Sequence, residues 1–212
     1  MTIIFLGAPG SGKGTQSVIL SKRLGIPSVS TGDIIRGVLK SGGEKAEILK
    51  SYTESGKLVP DSLVIDLLKD RISNSDCSKG CILDGFPRTL EQAKSLDDLG
   101  IHIDIAIDID ADDDFICKRT LSRLVCPKCN SVFNSATEMK PKSEGICDNC
   151  GSRLEQRKDD TEETIRTRLK VYKEKTLPLR EYYSSKGVLH SIDGRKSLAE
   201  SSEDIFNLVK NA

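Results

Sequence analysis

Residues 1–15 read MTIIFLGAPGSGKGT, an apolar run at 3–6 that passes straight into a turn of the form G-x-x-x-x-G-K at 7–13. An apolar run this close to such a loop predicts a short buried strand, a glycine turn and a helix from about residue 14 onward. The chemistry of the turn follows from its backbone. Gly7, Gly10 and Gly12 reach angles that side chains forbid, so successive N–H groups turn inward and make an anion-sized nest. The helix that follows aims its positive dipole end at the same place. Lys13 adds a mobile point charge for the outer phosphates of a nucleotide. The residue after the lysine, Ser or Thr in the general pattern, is Gly14, and a hydroxyl appears only at Thr15. Such a string arises by chance, but seldom directly behind an N-terminal apolar strand.

Outward from the loop, strand and helix patterns alternate. A helix is expected over 15–24 and a short strand over 26–30. A helix start follows at Thr31-Gly-Asp33, with Thr31 or Asp33 available to cap it. Residues 33–73 are charged and helical in pattern, interrupted at 41–43, 55–56 and Pro60. Residues 81–84 read as an apolar strand leading into Gly85-Phe-Pro-Arg88, and 101–109 as a further strand. A helix over 112–124, a charged helix over 161–184, a last strand over 187–193 and a C-terminal helix complete the pattern. Strands separated by helices imply a parallel sheet covered on both faces. Ligands of such sheets sit beyond the carboxyl ends of the strands, where the segments after Leu6, Ser30, Asp84 and Ile109 converge.

The composition narrows the function. Lys+Arg and Asp+Glu number 32 each in 212 residues, so no global charge favours nucleic acid or a membrane surface. Tryptophan is absent and aromatics are sparse, which speaks against a base-stacking surface. No apolar run approaches the roughly 20 residues of a membrane span, and the N-terminus has no signal-like segment. The expectation is a cytoplasmic protein, a monomer, with no nucleic-acid or membrane partner. Seven cysteines in that setting point to metal or free thiols more than to disulfides.

Four of them have a pattern. Cys126-x-x-Cys129 and Cys147-x-x-Cys150, with residues 130–146 between them, fit a four-cysteine zinc site. Four thiolates close a tetrahedron with no open position, so the metal is structural. The segment around it has too few apolar residues to fold alone, and metal binding would supply the missing free energy. A pair of disulfides and an iron site are the alternatives. Cys77, Cys81 and Cys117 have no spacing partner and read as small core residues.

Several arginines fall at turns or helix ends near the expected cleft: Arg36, Arg88, Arg119, Arg123, Arg157 and Arg168. Each alone reads as a surface charge. Together they suit phosphate, because a guanidinium fork grips phosphate oxygens in pairs. With GAPGSGKGTQ at 7–16, STGDIIR at 30–36, GKLVPD at 56–61, LDGFPRT at 83–89 and RKDD at 157–160, the chain resembles the adenylate kinase family along essentially its whole length. The family pattern has glycine after the loop lysine, so Gly14 conforms to it and Thr15 takes the hydroxyl role. The cysteine segment matches the long-lid, zinc-containing variety.

The resemblance implies an α/β protein, a P-loop three-layer α/β/α fold with a central parallel sheet, a helical AMP-binding insertion and a small zinc-ribbon lid. The core comprises 1–29, 61–122 and 161–212, the AMP-binding part 30–60 and the lid 123–160. The implied activity is reversible, Mg²⁺-dependent transfer of the γ-phosphoryl of ATP to AMP, giving two ADP. For ATP the implied residues are Gly10, Ser11, Gly12, Lys13, Gly14 and Thr15, with Arg119 and Arg123 one helical turn apart, Val132 and Phe133 from the lid, and Lys196 by the adenine. For AMP they are Thr31 and Gln92 at the base, Lys57, Leu58, Val59, Gly85, Phe86 and Pro87 around it, and Arg36 and Arg88 on the phosphate. Arg157 and Arg168 close over the phosphates. The catalytic set is Lys13, Arg88, Arg123, Arg157, Arg168 and Asp84, the last orienting Mg²⁺ through its water shell. Asp159 and Asp160 read as lid-hinge, arginine-orienting carboxylates, or equally as a solvated helix cap. Transfer to UMP, CMP or GMP is the nearest rival, and a non-catalytic P-loop and zinc-ribbon protein the more distant one.

Overall fold

A computed structural model describes residues 1–211. Five parallel strands form the central sheet: β1 (Thr2–Gly7), β2 (Ser28–Ser30), β3 (Cys81–Asp84), β4 (Ile105–Asp110) and β7 (Leu189–Asp193). Their order is β2-β3-β1-β4-β7, with Ile3 opposite both Ile82 and Ile105. Because the sheet is covered on both faces, its inner strands β1 and β3 are nearly continuous apolar runs rather than alternating ones. Ile4, Leu6, Leu83 and Ala106 pack into the core on one face. Ile3, Phe5, Ile82, Ile105 and Ile107 pack on the other.

Helix α1 (Lys13–Leu24) leaves the glycine loop and stops at Gly25, whose φ of +68° closes the helix in the left-handed region. Helices α2 (Thr31–Ser41), α3 (Glu44–Glu54) and α4 (Asp61–Ile72) lie between β2 and β3 in the chain. The cap of α2 is neither Thr31 nor Asp33 but Ser30, whose hydroxyl accepts the Asp33 N–H at 3.3 Å. Thr31 is the first helical residue, and its hydroxyl is drawn to the Gly85 carbonyl instead, at 2.9 Å.

Other boundaries also move for tertiary reasons. The strand expected over 101–109 begins only at Ile105, because its neighbour β1 starts at Thr2 and offers nothing to pair with upstream. Helix α5 (Leu90–Asp98) fills a stretch that the sequence pattern left without an element. Its signal is present: Thr89 caps it through the Gln92 N–H, and T-x-x-Q is the start of a capping box. Helix α6 (Asp113–Leu121) ends before residue 124, because Arg123–Val125 is taken as strand β5 by an antiparallel partner, β6 (Val132–Asn134). The single helix expected over 161–184 is broken into α7 (Glu162–Val171), a π-helical turn (Tyr172–Thr176) and α8 (Leu179–Ser185), with Pro178 at the junction. Helix α9 (Leu198–Asn211) closes the chain against α1.

Candidate active site

The carboxyl ends of β1, β2 and β3 open into a cleft of about 1190 Å³. The glycine loop forms one wall. Gly10 has φ +87°, and a Cβ there would stand 2.2 Å from the Thr120 hydroxyl, so only glycine lets the loop fold back on α6. Asp84, at the end of β3, comes so near α1 that a Cβ on Gly14 would meet its Oδ2 at 3.2 Å. A side chain at 14 would crowd this carboxylate, which stands beside the phosphate nest. Gly12, Lys13 and Thr15 line the same wall.

The opposite wall is built from α2, the segment before α4 and the segment after β3. Thr31, Arg36, Lys57 and Leu58 face the cleft, with Val59 behind them. Gly85, Pro87, Arg88 and Gln92 complete it. Phe86 departs from this grouping: it is buried in the core beneath the sheet rather than turned to the cleft. Its neighbours Gly85 and Pro87 line the cleft, and Gly85 turns the chain there with a φ of +78°. Gln92 holds the main chain, its Oε1 accepting the Arg88 N–H at 2.7 Å while its Nε2 donates to Asp61 at 2.6 Å. Asp61, which sequence reasoning passed over, also accepts the Thr89 hydroxyl at 2.9 Å.

A third side comes from residues 119–168. Arg119 and Arg123 both reach the cleft, but not as one helical face: Arg119 belongs to α6 and Arg123 to β5, for the reason given above. Arg119 donates to the Ser11 carbonyl at 3.2 Å, which ties α6 to the glycine loop. Val132 and Phe133 of β6 and Arg157 and Arg168 line the remaining edge. Asp160 takes Arg123 in a two-pronged pair, and Asp159 pairs with Arg168. Both carboxylates thus hold arginines, as the arginine-orienting reading expects. Ser11 and Lys196 lie on an adjoining cavity of about 350 Å³, whose wall shares Gly12 and Arg119 with the main cleft. Lys196 is paired there with Asp204 at 2.6 Å.

The electrostatics point to a polyanion. Among the described residues, Lys13, Arg88, Arg119 and Arg157 have no salt-bridge partner. Lys13 instead donates to the Gly7 and Ala8 carbonyls, each at 2.7 Å. Burial pushes its ammonium down to about 8, against the pull of Asp84. Burial likewise lowers Arg88, with Asp84 opposing and Arg168 and Arg36 adding their repulsion. Arg157 falls to about 10, first through burial and then through Arg123 and Arg36. Cations gathered out of water without counter-charge are costly, and a ligand with several negative charges relieves all of them together.

The cysteines form a second centre. The four sulfurs of Cys126, Cys129, Cys147 and Cys150 lie within 4.8 Å of one another, with Cys126 to Cys150 at 3.4 Å and Cys129 to Cys147 at 3.5 Å. Four sulfurs about 2.3 Å from one zinc stand about 3.8 Å apart, so the donor set fits that ion. Around them lies only a small apolar cluster with Phe133, Leu154 and Leu124. Of the other cysteines, Cys81 is buried, while Cys77 and Cys117 are half-buried.

A parallel sheet with a phosphate nest at the end of β1, facing an arginine-lined cleft, defines a P-loop nucleotide-binding protein. A family model described as adenylate kinase matches residues 5–188. Proteins named adenylate kinase from Caldicellulosiruptor saccharolyticus and Acetivibrio thermocellus are 46% and 44% identical, covering 99% of this chain and 99% and 98% of their own lengths. One from Archaeoglobus fulgidus is 45% identical over 93% of both chains. The chain belongs to the adenylate kinase family.

Proposed function

We propose that the cleft binds ATP on the glycine-loop side and AMP on the side of Thr31 and Gln92, and transfers the γ-phosphoryl between them. The observation that carries this reading is the set of unpaired cations, Lys13, Arg88, Arg119 and Arg157, converging on one space between the two walls. An oxygen of the AMP α-phosphate attacks the γ-phosphorus in line. The bond from that phosphorus to the bridging oxygen breaks, and the charge moves to the β-phosphate of the departing ADP. The attacking oxygen is already anionic, so no side chain need take a proton. Catalysis is then positioning and charge neutralisation.

In this reading the nest from Gly10 to Thr15, with Ser11 in it, wraps the ATP phosphates, and Lys13 leaves its carbonyl partners for the transferred group. Arg36 and Arg88 hold the AMP phosphate, while Thr31 and Gln92 meet its base and residues 57–59 and 85–87 flank it. Arg119, Arg123, Val132, Phe133 and Lys196 serve the ATP side, and Arg157 and Arg168 span both nucleotides. Family membership implies Mg²⁺ with ATP. Bound with the nucleotide, the ion would add charge stabilisation at the phosphates, and Asp84, beside the nest, would orient its water shell. Residues 30–60 and 123–160 act as covers over AMP and ATP, which keep out water as a competing acceptor. Cys126, Cys129, Cys147 and Cys150 hold a structural zinc that stiffens the second cover. In this reading the protein works as a monomer. A four-thiol site and free cysteines suit a reducing cytoplasm. Among the described residues, no helix is long and apolar enough to cross a membrane.

The experiment is direct. ATP, AMP and Mg²⁺ are mixed with the protein and ADP is followed, in parallel with UMP, CMP and GMP. ADP formation with AMP well above the others is expected. Preference for another monophosphate would reassign the acceptor, and no transfer to any of them would overturn the reading.

A further inference from the structure

The π-helical turn at Tyr172–Thr176 interrupts an otherwise regular run of helix, and its last residue makes a contact that none of the roles above uses. Threonines inside helices ordinarily turn their hydroxyls back on their own carbonyls. Thr120 does so, onto Ile116 at 2.8 Å, as does Thr53 onto Leu49 at 3.1 Å. Thr176 does not. Its buried hydroxyl crosses to the main-chain carbonyl of Arg88 and donates to it at 2.8 Å. The wide turn makes this reach available, because the Leu177 N–H bonds back to the Tyr172 carbonyl and the helix is locally unwound.

Arg88 needs holding. Its guanidinium sits near those of Arg36 and Arg168, and like charges push it out of any common focus. What fixes it is the frame around it. The Arg88 N–H is held by Gln92 at 2.7 Å, its Nε donates to the Gly85 carbonyl at 2.7 Å, and its carbonyl is held by Thr176. The first two anchors come from the local chain. Thr176 alone comes from a distant part of the chain, 88 residues on, in the segment continuous with α7, which carries Arg168.

We propose that Thr176 is a positioning residue for the acceptor phosphate: its hydroxyl fixes the main chain of Arg88 relative to Arg168, so that both guanidinia meet one phosphate. The inference rests on the reading of Arg88 as a ligand of the AMP phosphate. A preorganised cation is effective at a developing charge because it need not move during the reaction.

The test compares Thr176→Val, which keeps the shape and removes the hydrogen-bond donor, with Thr176→Ser, which keeps the donor, and with Arg88→Ala. Initial rates are measured against AMP at saturating ATP and against ATP at saturating AMP, with melting temperatures alongside. Thr176→Val should lower kcat/KM for AMP about five- to thirtyfold, which is about 1–2 kcal/mol of lost transition-state stabilisation. The KM for ATP should stay within about twofold, and Thr176→Ser should recover the AMP value to about the same margin. If Thr176→Val does not fold, Thr176→Cys, whose thiol donates weakly, should show the same selective loss. Unchanged AMP kinetics in Thr176→Val, a KM for ATP raised as much as that for AMP, or a Thr176→Ser as impaired as the valine variant would each overturn the proposal. Arg88→Ala separates the two levels. If it leaves AMP kinetics intact, the reading of Arg88 itself fails; if it is impaired while Thr176→Val is not, only the positioning role falls.

Discussion

Asp160 holds Arg123 by both prongs of the guanidinium, Oδ2 accepting from Nε at 2.8 Å and Oδ1 from Nη2 at 2.5 Å, with the aspartate side chain wholly enclosed. The pair joins the two ends of the segment between α6 and α7, and it leaves Arg123 at the edge of the cleft. A buried pair contributes little beyond two apolar side chains of the same shape, yet removing one partner strands the other charge. Asp160→Ala should therefore cost about 3–5 kcal/mol, lowering the melting temperature by roughly 6–20 °C for a chain this size. Asp160→Asn, which still accepts a hydrogen bond, should cost less. Thermal unfolding of both variants checks this; a melting point unchanged in Asp160→Ala would show that the pair is not closed in solution.

Lys13 carries a pH prediction. Burial has brought its ammonium down to about 8, below the ordinary lysine value of 10.5. A lysine lowered in the folded state binds its proton less well there than in the unfolded chain. The nucleotide-free protein should thus gain stability as pH rises from about 8 toward 10.5 and lose that gain below about 8. Phosphate binding has the opposite demand, because it needs the ammonium. The affinity for ATP should weaken as pH passes about 8, and Lys13→Ala should flatten that fall as well as lower the affinity throughout. Calorimetric titration with ATP between pH 7 and about 9.5 reads both effects.

The cysteine centre predicts a link between metal and stability. With Phe133, Leu154 and Leu124 as nearly its whole apolar support, the segment should depend on a bound metal for its folded form. Metal analysis should find one zinc per chain. Chelation or Cys129→Ser should lower the melting temperature and expose the segment to protease before the rest of the chain. Limited proteolysis with and without a chelator checks it, and identical digestion patterns would contradict a metal-stapled cover.

Much of this site is legible in local chemistry. The glycine loop with Lys13 and the paired C-x-x-C segments are readable because an anion nest and a cluster of four sulfurs each need particular residues at short, regular spacings. The strand at Cys81–Asp84 is bounded in the sequence where the structure bounds it, since Gly80 and Gly85 punctuate it. What stayed hidden depends on contacts between distant segments. Ser30 rather than Thr31 caps α2, and the Thr31 hydroxyl goes to the Gly85 carbonyl, a contact across 54 residues. Arg123 leaves the helix only because β6 pairs with it. Phe86 sits among residues that face the cleft and itself turns inward. The π-helical turn has no marker of its own except Pro178, which signals a break but not its width.

Two glycines of the same chain should respond in opposite directions to the same change. Gly10 has φ +87°, and the Thr120 hydroxyl lies 2.2 Å from where its Cβ would stand. Gly10→Ala must shift α6 or open the loop, and either disturbs the N–H groups that face the phosphates. Affinity for ATP should drop at least tenfold, with a lower melting temperature. Gly37 is exposed inside α2, has an ordinary helical φ and meets nothing within 4 Å of an added Cβ. Here glycine only weakens the helix, by about 0.8–1.0 kcal/mol relative to alanine. Gly37→Ala should raise the melting temperature by roughly 2–4 °C if α2 unfolds together with the rest of the protein. A smaller rise, with hydrogen exchange in α2 slowed and exchange in the central sheet unchanged, would mean that 30–60 opens on its own. The substitution thereby measures whether residues 30–60, the proposed cover over AMP, are a cooperative part of the fold or a separately mobile one.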